Sequence, residues 1–203
     1  ELIPPAPNDN ETGFWEDRRF VALNEQMLKA FGTTQRGVQA LPDHWQDQLP
    51  VAALKQEASE LLDVFLKEKG CPGVKDPRFC RTLPLWMKLF DAKDIVPRFI
   101  IAVRHPLEVA MSLQRRNGIP ISQGLRLWAQ YNLDIERATR GYRRGFVYYP
   151  NVLEKWENVM RNAGGRAGLP WPIPFDRAAT DIEQFRQQEL RHNHAEENES
   201  MLP

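Results

Sequence analysis

Arg104 and Ser112, in the segment RFIIAVRHPLEVAMSLQRRNG (98–118), are a pair of residues whose types and spacing suit the binding of an anion. Arginine carries a permanent charge and a planar fork of donors that matches phosphate oxygens, and a serine hydroxyl adds one further donor. The elements around them suit the same chemistry. Phe99, Ile100, Ile101, Ala102 and Val103 form an apolar run of strand length with β-branched content. It stops at Arg104, and Pro106 stands where a helix begins, its missing N–H costing nothing there. Leu107, Ala110, Met111 and Leu113 give that helix a broad apolar face, with Ser112 among them. A strand turning sharply into a helix leaves backbone N–H groups pointing at the turn, where an anion can sit. The competing reading of the same residues is a buried βα unit whose arginine is held in a salt bridge.

Composition narrows the classes. The chain has 203 residues, enough for a sizeable core and most simply one domain. Lys plus Arg and Asp plus Glu both number 27, and this zero formal charge argues against a nucleic-acid binder. No apolar run approaches the roughly 20 residues that span a bilayer. No charged-then-apolar leader is present, and the two cysteines, Cys71 and Cys80, fit a reducing compartment, so the cytoplasm is the expected location.

Along the chain, ELIPPAPNDNETG reads as an exposed proline-rich connection entering from something upstream. FWEDRRFVALNEQMLKAFG reads as a helix ended by Gly32, and Val51 to Phe65 as a second, stopped at Lys69-Gly70. Residues 73–77 read as a strand end, and Pro84 as the opening of a third helix. A long helix starts near Ser122, with Leu125, Trp128, Tyr131 and Ile135 on its inner face. Phe146–Tyr149 reads as a third strand, followed by a helix ending at Gly164-Gly165 and a last helix near Thr180–Gln188. Alternating strands and helices predict a parallel α/β sheet with helices on both faces. Three strands are few for such a sheet, so the first βα unit is expected to be missing.

The wording RHPLEVAMSL resembles the 3′-phosphate-binding segment of sulfotransferases that use 3′-phosphoadenosine 5′-phosphosulfate (PAPS), especially bacterial members and the tyrosylprotein branch. GVKDPRFCRTLPLW (73–86) is similar to their KDPR element, FVYYPNVLEKW (146–156) to their YExL segment, and the opening with GFWEDRRF to the stretch after their 5′-phosphosulfate loop. The resemblance implies a P-loop-like sulfotransferase sheet over one partial domain, 1–203, lacking the first βα unit and its glycine- and serine-rich 5′ loop; the charged end, about 193–203, reads by itself as a mobile tail. It implies PAPS as co-substrate, adenosine 3′,5′-bisphosphate (PAP) as product, no metal, and a small-molecule, glycan or peptide acceptor. Residue by residue, it assigns Arg104 and Ser112 to the 3′-phosphate, Tyr149 to the adenine end, and Arg191, in the late LRH wording, to the same phosphate. Lys75 becomes the cation at the sulfuryl group and Glu16, with Asp17 behind it, the catalytic base.

Each assignment has a plainer counterpart. Lys75 reads equally as a surface lysine beside the turn residues Asp76-Pro77, and Glu16 as an early acidic residue favouring a helix N-terminus. Pro150 and Asn151 replace the family's acidic pair beside Tyr149. His192 and His194 lack further ligands at metal spacing. Arg137, Arg140, Arg143 and Arg144 read as a solvated helix end or as an attraction for an acidic acceptor. A nucleotide or phosphosugar kinase, needing GxxxxGK[ST] and magnesium carboxylates, and a non-catalytic binding module are the two rival functions.

Overall fold

The computed structural model describes residues 2–4, 13–68 and 73–185. Its elements run α1 (Arg18–Lys29), α2 (Ala52–Glu68), α3 (Phe79–Ala92), β1 (Phe99–Val103), α4 (Pro106–Asn117), α5 (Ile121–Ala138), β2 (Arg144–Tyr148), α6 (Tyr149–Ala167) and α7 (Phe175–Phe185), with two short 3₁₀ turns before α2. Among the described residues this is an α/β chain with seven α-helices and one two-stranded parallel sheet. It divides into two compact units, Glu1–Val96 with Gln130–Ala138, and Pro97–Ala129 with Thr139–Pro203.

The first unit is helical. Asp17 caps α1 by accepting from the Arg19 backbone N–H at 2.9 Å, supplying one of the first-turn partners a helix otherwise lacks. Phe20, Leu23 and Met27 bury one face of α1, as their spacing requires. Phe20 meets Phe65 of α2 edge-on at 5.0 Å and Trp86 of α3 at 5.1 Å, so three helices close on one aromatic cluster. Burying each such ring contributes about 1.5–3 kcal/mol. The Arg81 side chain is fully buried and donates to the carbonyls of Gly37 and Gln39, while Tyr131 donates to that of Gln35, fastening the loop after α1.

The second unit holds the sheet. β1 and β2 run parallel, Phe99 beside Arg144 and Val103 beside Tyr148. α6 lies so close to β2 that a Cβ on Gly145 would overlap the Ala163 backbone. α4 ends on Gly118, whose φ of 66° suits glycine. α4 and α5 cross with a Cβ at Gly124 only 2.8 Å from the Ala110 Cα.

Several expectations need correction. Residues 73–77 form no strand: Asp76 turns back to accept from the Arg78 backbone N–H at 2.9 Å, and Pro77 has no N–H for a ladder, so the segment becomes the turn into α3. They belong to the helical unit and add no strand to β1–β2. Pro84 sits inside α3, which starts earlier at Phe79. β2 ends at Tyr148, and Tyr149 opens α6 with Pro150 in its first turn. α6 passes through Gly164-Gly165 to a cap at Gly168, and Trp171 fills the place where a Cβ on Gly164 would stand. The last helix starts at Phe175, five residues before its expected start.

Candidate functional site

Two constellations hold the expected residues, one in each unit. In the helical unit, the loop Gly13–Glu16 carries positive φ at Gly13 (91°) and at Trp15 (56°). A non-glycine residue there is costly by roughly 1–3 kcal/mol and persists where its surroundings over-determine it. Those surroundings are Lys75 and the chain start. The Lys75 ammonium donates to the Phe14 carbonyl at 3.1 Å and to Glu16 Oε1 at 2.7 Å, and Ile3 N–H donates to the Glu16 carbonyl at 2.8 Å. The result presents Trp15, 56 % exposed, beside a Glu16 that is only 5 % exposed.

Glu16 is part of a larger network. Its second oxygen accepts from Arg78 Nη1 at 3.3 Å; the same nitrogen reaches Asp76 Oδ1 at 2.9 Å, and Arg78 Nη2 reaches Glu25 at 2.8 Å. Burial works against the Arg78 charge, yet the Asp76, Glu25 and Glu16 carboxylates outweigh it, and its pKa is raised. Asp76 Oδ2 accepts from Asn24 Nδ2, and Asn24 Oδ1 accepts from Thr82 Oγ1 and Trp86 Nε1, each at 2.8 Å. Arg78 Nε is buried without a partner. Lys75 differs from its neighbours: its side chain is 59 % exposed and two of its three donors are engaged, which leaves one for an anionic oxygen arriving from solvent. Asp17, next in sequence, is bound by Arg19, whose hydrogen bonds lower its pKa to about 2, and it serves as the cap of α1.

In the sheet unit, Arg104 leaves the C-terminal end of β1 and its guanidinium stacks on the Tyr149 ring at 4.6 Å. Parallel pairing makes this meeting possible, since it brings the ends of β1 and β2 side by side. Arg104 Nε donates to Glu108 Oε2 at 2.8 Å, and Trp128 Nε1 fixes the Arg104 carbonyl at 2.9 Å. The Glu108 side chain is fully buried. Among the described residues Nη1 and Nη2 of Arg104 have no hydrogen bond. Ser112 lies one helical turn beyond Glu108 on the same face of α4, half-buried. No side chain caps the N-terminus of α4.

Lys75 and Glu16 therefore meet, as do Arg104 and Tyr149, and the two pairs belong to different units. Arg191, His192 and His194 lie outside the described residues, as does Cys71. Cys80 has a free thiol that burial pushes up to about 12. Sequence reasoning missed Glu108, Arg78 and Trp15. The spacing of four between Arg104 and Glu108 was a usable signal for the first; nothing local announced the other two. Among the described residues no cluster of three or more His, Cys, Asp or Glu side chains suits a metal ion, and no helix is long and apolar enough to cross a membrane. No family model, curated protein or solved structure matches the chain.

Proposed function

We propose that this chain is a PAPS-dependent sulfotransferase of P-loop-like fold that moves a sulfuryl group to an acceptor hydroxyl or amine. The observation that carries the reading is the way the Arg104 guanidinium is held. Glu108 occupies Nε, Tyr149 covers one face, and the two terminal nitrogens remain open at the C-terminal ends of two parallel strands. Ligands of open α/β sheets bind at that edge, and a guanidinium fixed in this way can donate two parallel bonds to a phosphate. Ser112 adds a hydroxyl, and the uncapped first turn of α4 adds a favourable dipole.

In the proposed reaction the acceptor oxygen or nitrogen bonds to sulfur as the bond from sulfur to the phosphate oxygen breaks, and PAP leaves. Positioning and charge stabilisation carry such an in-line transfer. Sequence resemblance, and no distance, assigns Lys75 to the leaving oxygen and Glu16 to the acceptor's proton. The open donor of Lys75 supports its part; both oxygens of Glu16 are already bonded, which also suits an anchor for Lys75.

The Arg104–Glu108 ion pair favours a second reading, in which Arg104 only closes the βα turn. Titration calorimetry separates the two. PAP should bind more tightly than adenosine 5′-monophosphate. Arg104→Ala should weaken PAP by about 10- to 150-fold, the loss of a charge-assisted bond of roughly 1.5–3 kcal/mol. Equal affinity for both nucleotides, or for wild type and Arg104→Ala, refutes the proposal.

A further inference from the structure

The opposite edge of the sheet carries a second group of cations. Arg98 directly precedes β1 and Arg143 directly precedes β2, and the register sets them side by side at the N-terminal ends of the strands, where Phe99 N–H donates to the Arg143 carbonyl at 3.2 Å. Both side chains reach the C-terminal end of α6. Arg98 Nη1 donates to the Ala167 carbonyl at 3.0 Å. At Gly168, with φ of 63°, Nη1 of both arginines crowds the place where a Cβ would stand. Glycine thus keeps open the point on which two guanidiniums converge.

Like charges do not gather without compensation. The C-terminal end of α6 supplies roughly half a negative charge, and Ala167 supplies one acceptor, taken by Arg98. Arg143 has no hydrogen-bond acceptor and no carboxylate partner among the described residues. Both residues are exposed, so a ligand can reach them.

We infer that Arg98 and Arg143 form an anion site at Gly168 that takes a phosphate or sulfate group, free or as a monoester. Two guanidinium forks offer more donors than one carboxylate can accept, and a tetrahedral dianion matches both their number and their charge. The site lies at the opposite end of the strands from Arg104, and it does not depend on the sulfotransferase reading.

Amide and arginine side-chain NMR at constant ionic strength tests it, with inorganic phosphate, glucose 6-phosphate and chloride as the three probes. Phosphate should shift the signals of Arg98, Arg143 and Gly168 saturably, and chloride should not. Glucose 6-phosphate, bound at least as tightly as inorganic phosphate, would identify an esterified anion as the ligand; weaker binding would identify a free oxyanion. Arg143→Gln should weaken phosphate at these signals by roughly 10-fold or more. Arg104→Gln should leave them unchanged while abolishing any shift at the α4 N-terminus. Matching phosphate and chloride effects, or the same phosphate affinity in Arg143→Gln, overturns the inference. So does a loss of the Gly168 shift in Arg104→Gln with none in Arg143→Gln. Should Arg143 serve only to finish α6, Arg143→Gln would lower the melting temperature equally with and without phosphate, which also overturns it.

Discussion

Asp76→Ala should be among the most damaging single changes in the helical unit. The Asp76 side chain is wholly buried. It accepts from the Arg78 backbone N–H and Nη1, both at 2.9 Å, and from Asn24 Nδ2 at 2.8 Å. Removing it leaves the buried Arg78 guanidinium, whose Nε already lacks a partner, without its most deeply buried carboxylate. Breaking a buried ion pair from one side costs about 3–5 kcal/mol. Glu16 at 3.3 Å and Glu25 at 2.8 Å remain and pull the figure towards the low end. The orphaned Asn24 amide pushes it back up by about 1–3 kcal/mol. A net loss of about 3–5 kcal/mol is a large part of the 5–15 kcal/mol that typically holds a domain together. Urea unfolding followed by helical circular dichroism reads it: with a slope near 2 kcal/mol per molar, the midpoint should fall by about 2 M. Lys88→Ala, which breaks the exposed pair with Asp47, provides the scale of an ordinary solvent-screened surface bridge. An Asp76→Ala loss no larger than the Lys88→Ala loss would refute the argument that this network is packed and mutually dependent.

Two further expectations concern the same unit. Hydrogen bonds from Arg19 hold the Asp17 carboxyl at about 2, below its ordinary 3.8, so its contribution is complete above pH 3.8 and disappears as the pH falls through that interval. Allowing for the one-third exposure of Arg19, the effect is about 1–2 kcal/mol; Asp17→Asn, which keeps a cap acceptor, should show less acid sensitivity in unfolding midpoints between those pH values, and an unchanged acid limb would contradict this. In a sulfuryl-transfer assay Lys75→Ala should lower kcat by about 10²–10³ with donor affinity nearly unchanged, as expected for a charge that matters in the transition state; a rise in KM alone would remove Lys75 from that role.

Local signals were legible and distant ones were not. Pro106 opens α4 as read, because a helix start is decided by the residues standing there. The same locality misleads at 73–77, which reads as a strand end although Asp76-Pro77 folds back on its own backbone. Pro84 reads as a start signal, yet Pro77 lies at the true entrance, and Leu83, Leu85 and Trp86 are buried on either side of the later proline. Arg104 and Tyr149 could be placed together from strand order alone, since parallel neighbours must end side by side. The ties of Arg78 to Glu16 and Glu25, and of Asp76 to Asn24, join residues more than fifty positions apart, and no window along the sequence contains both ends. Trp15 escaped for a different reason: its positive φ lies beside the Phe14 carbonyl, which is held by Lys75 about sixty residues later.

Asn24 also bears on how this protein ages. Spontaneous deamidation of asparagine begins when the next residue's amide nitrogen attacks the side-chain carbonyl carbon. Here that nitrogen, on Glu25, lies inside α1, where helix geometry commits it to the carbonyl four residues back. The Asn24 carboxamide is held on both ends, its oxygen by Thr82 and Trp86 and its nitrogen by Asp76, and it is fully buried. Hydrolysis would set a new carboxylate against Asp76, so the chemistry is hindered at the attack and opposed at the product. Asn24 should therefore keep its amide for as long as α1 stays folded, and its conversion to aspartate would record how often that helix has opened.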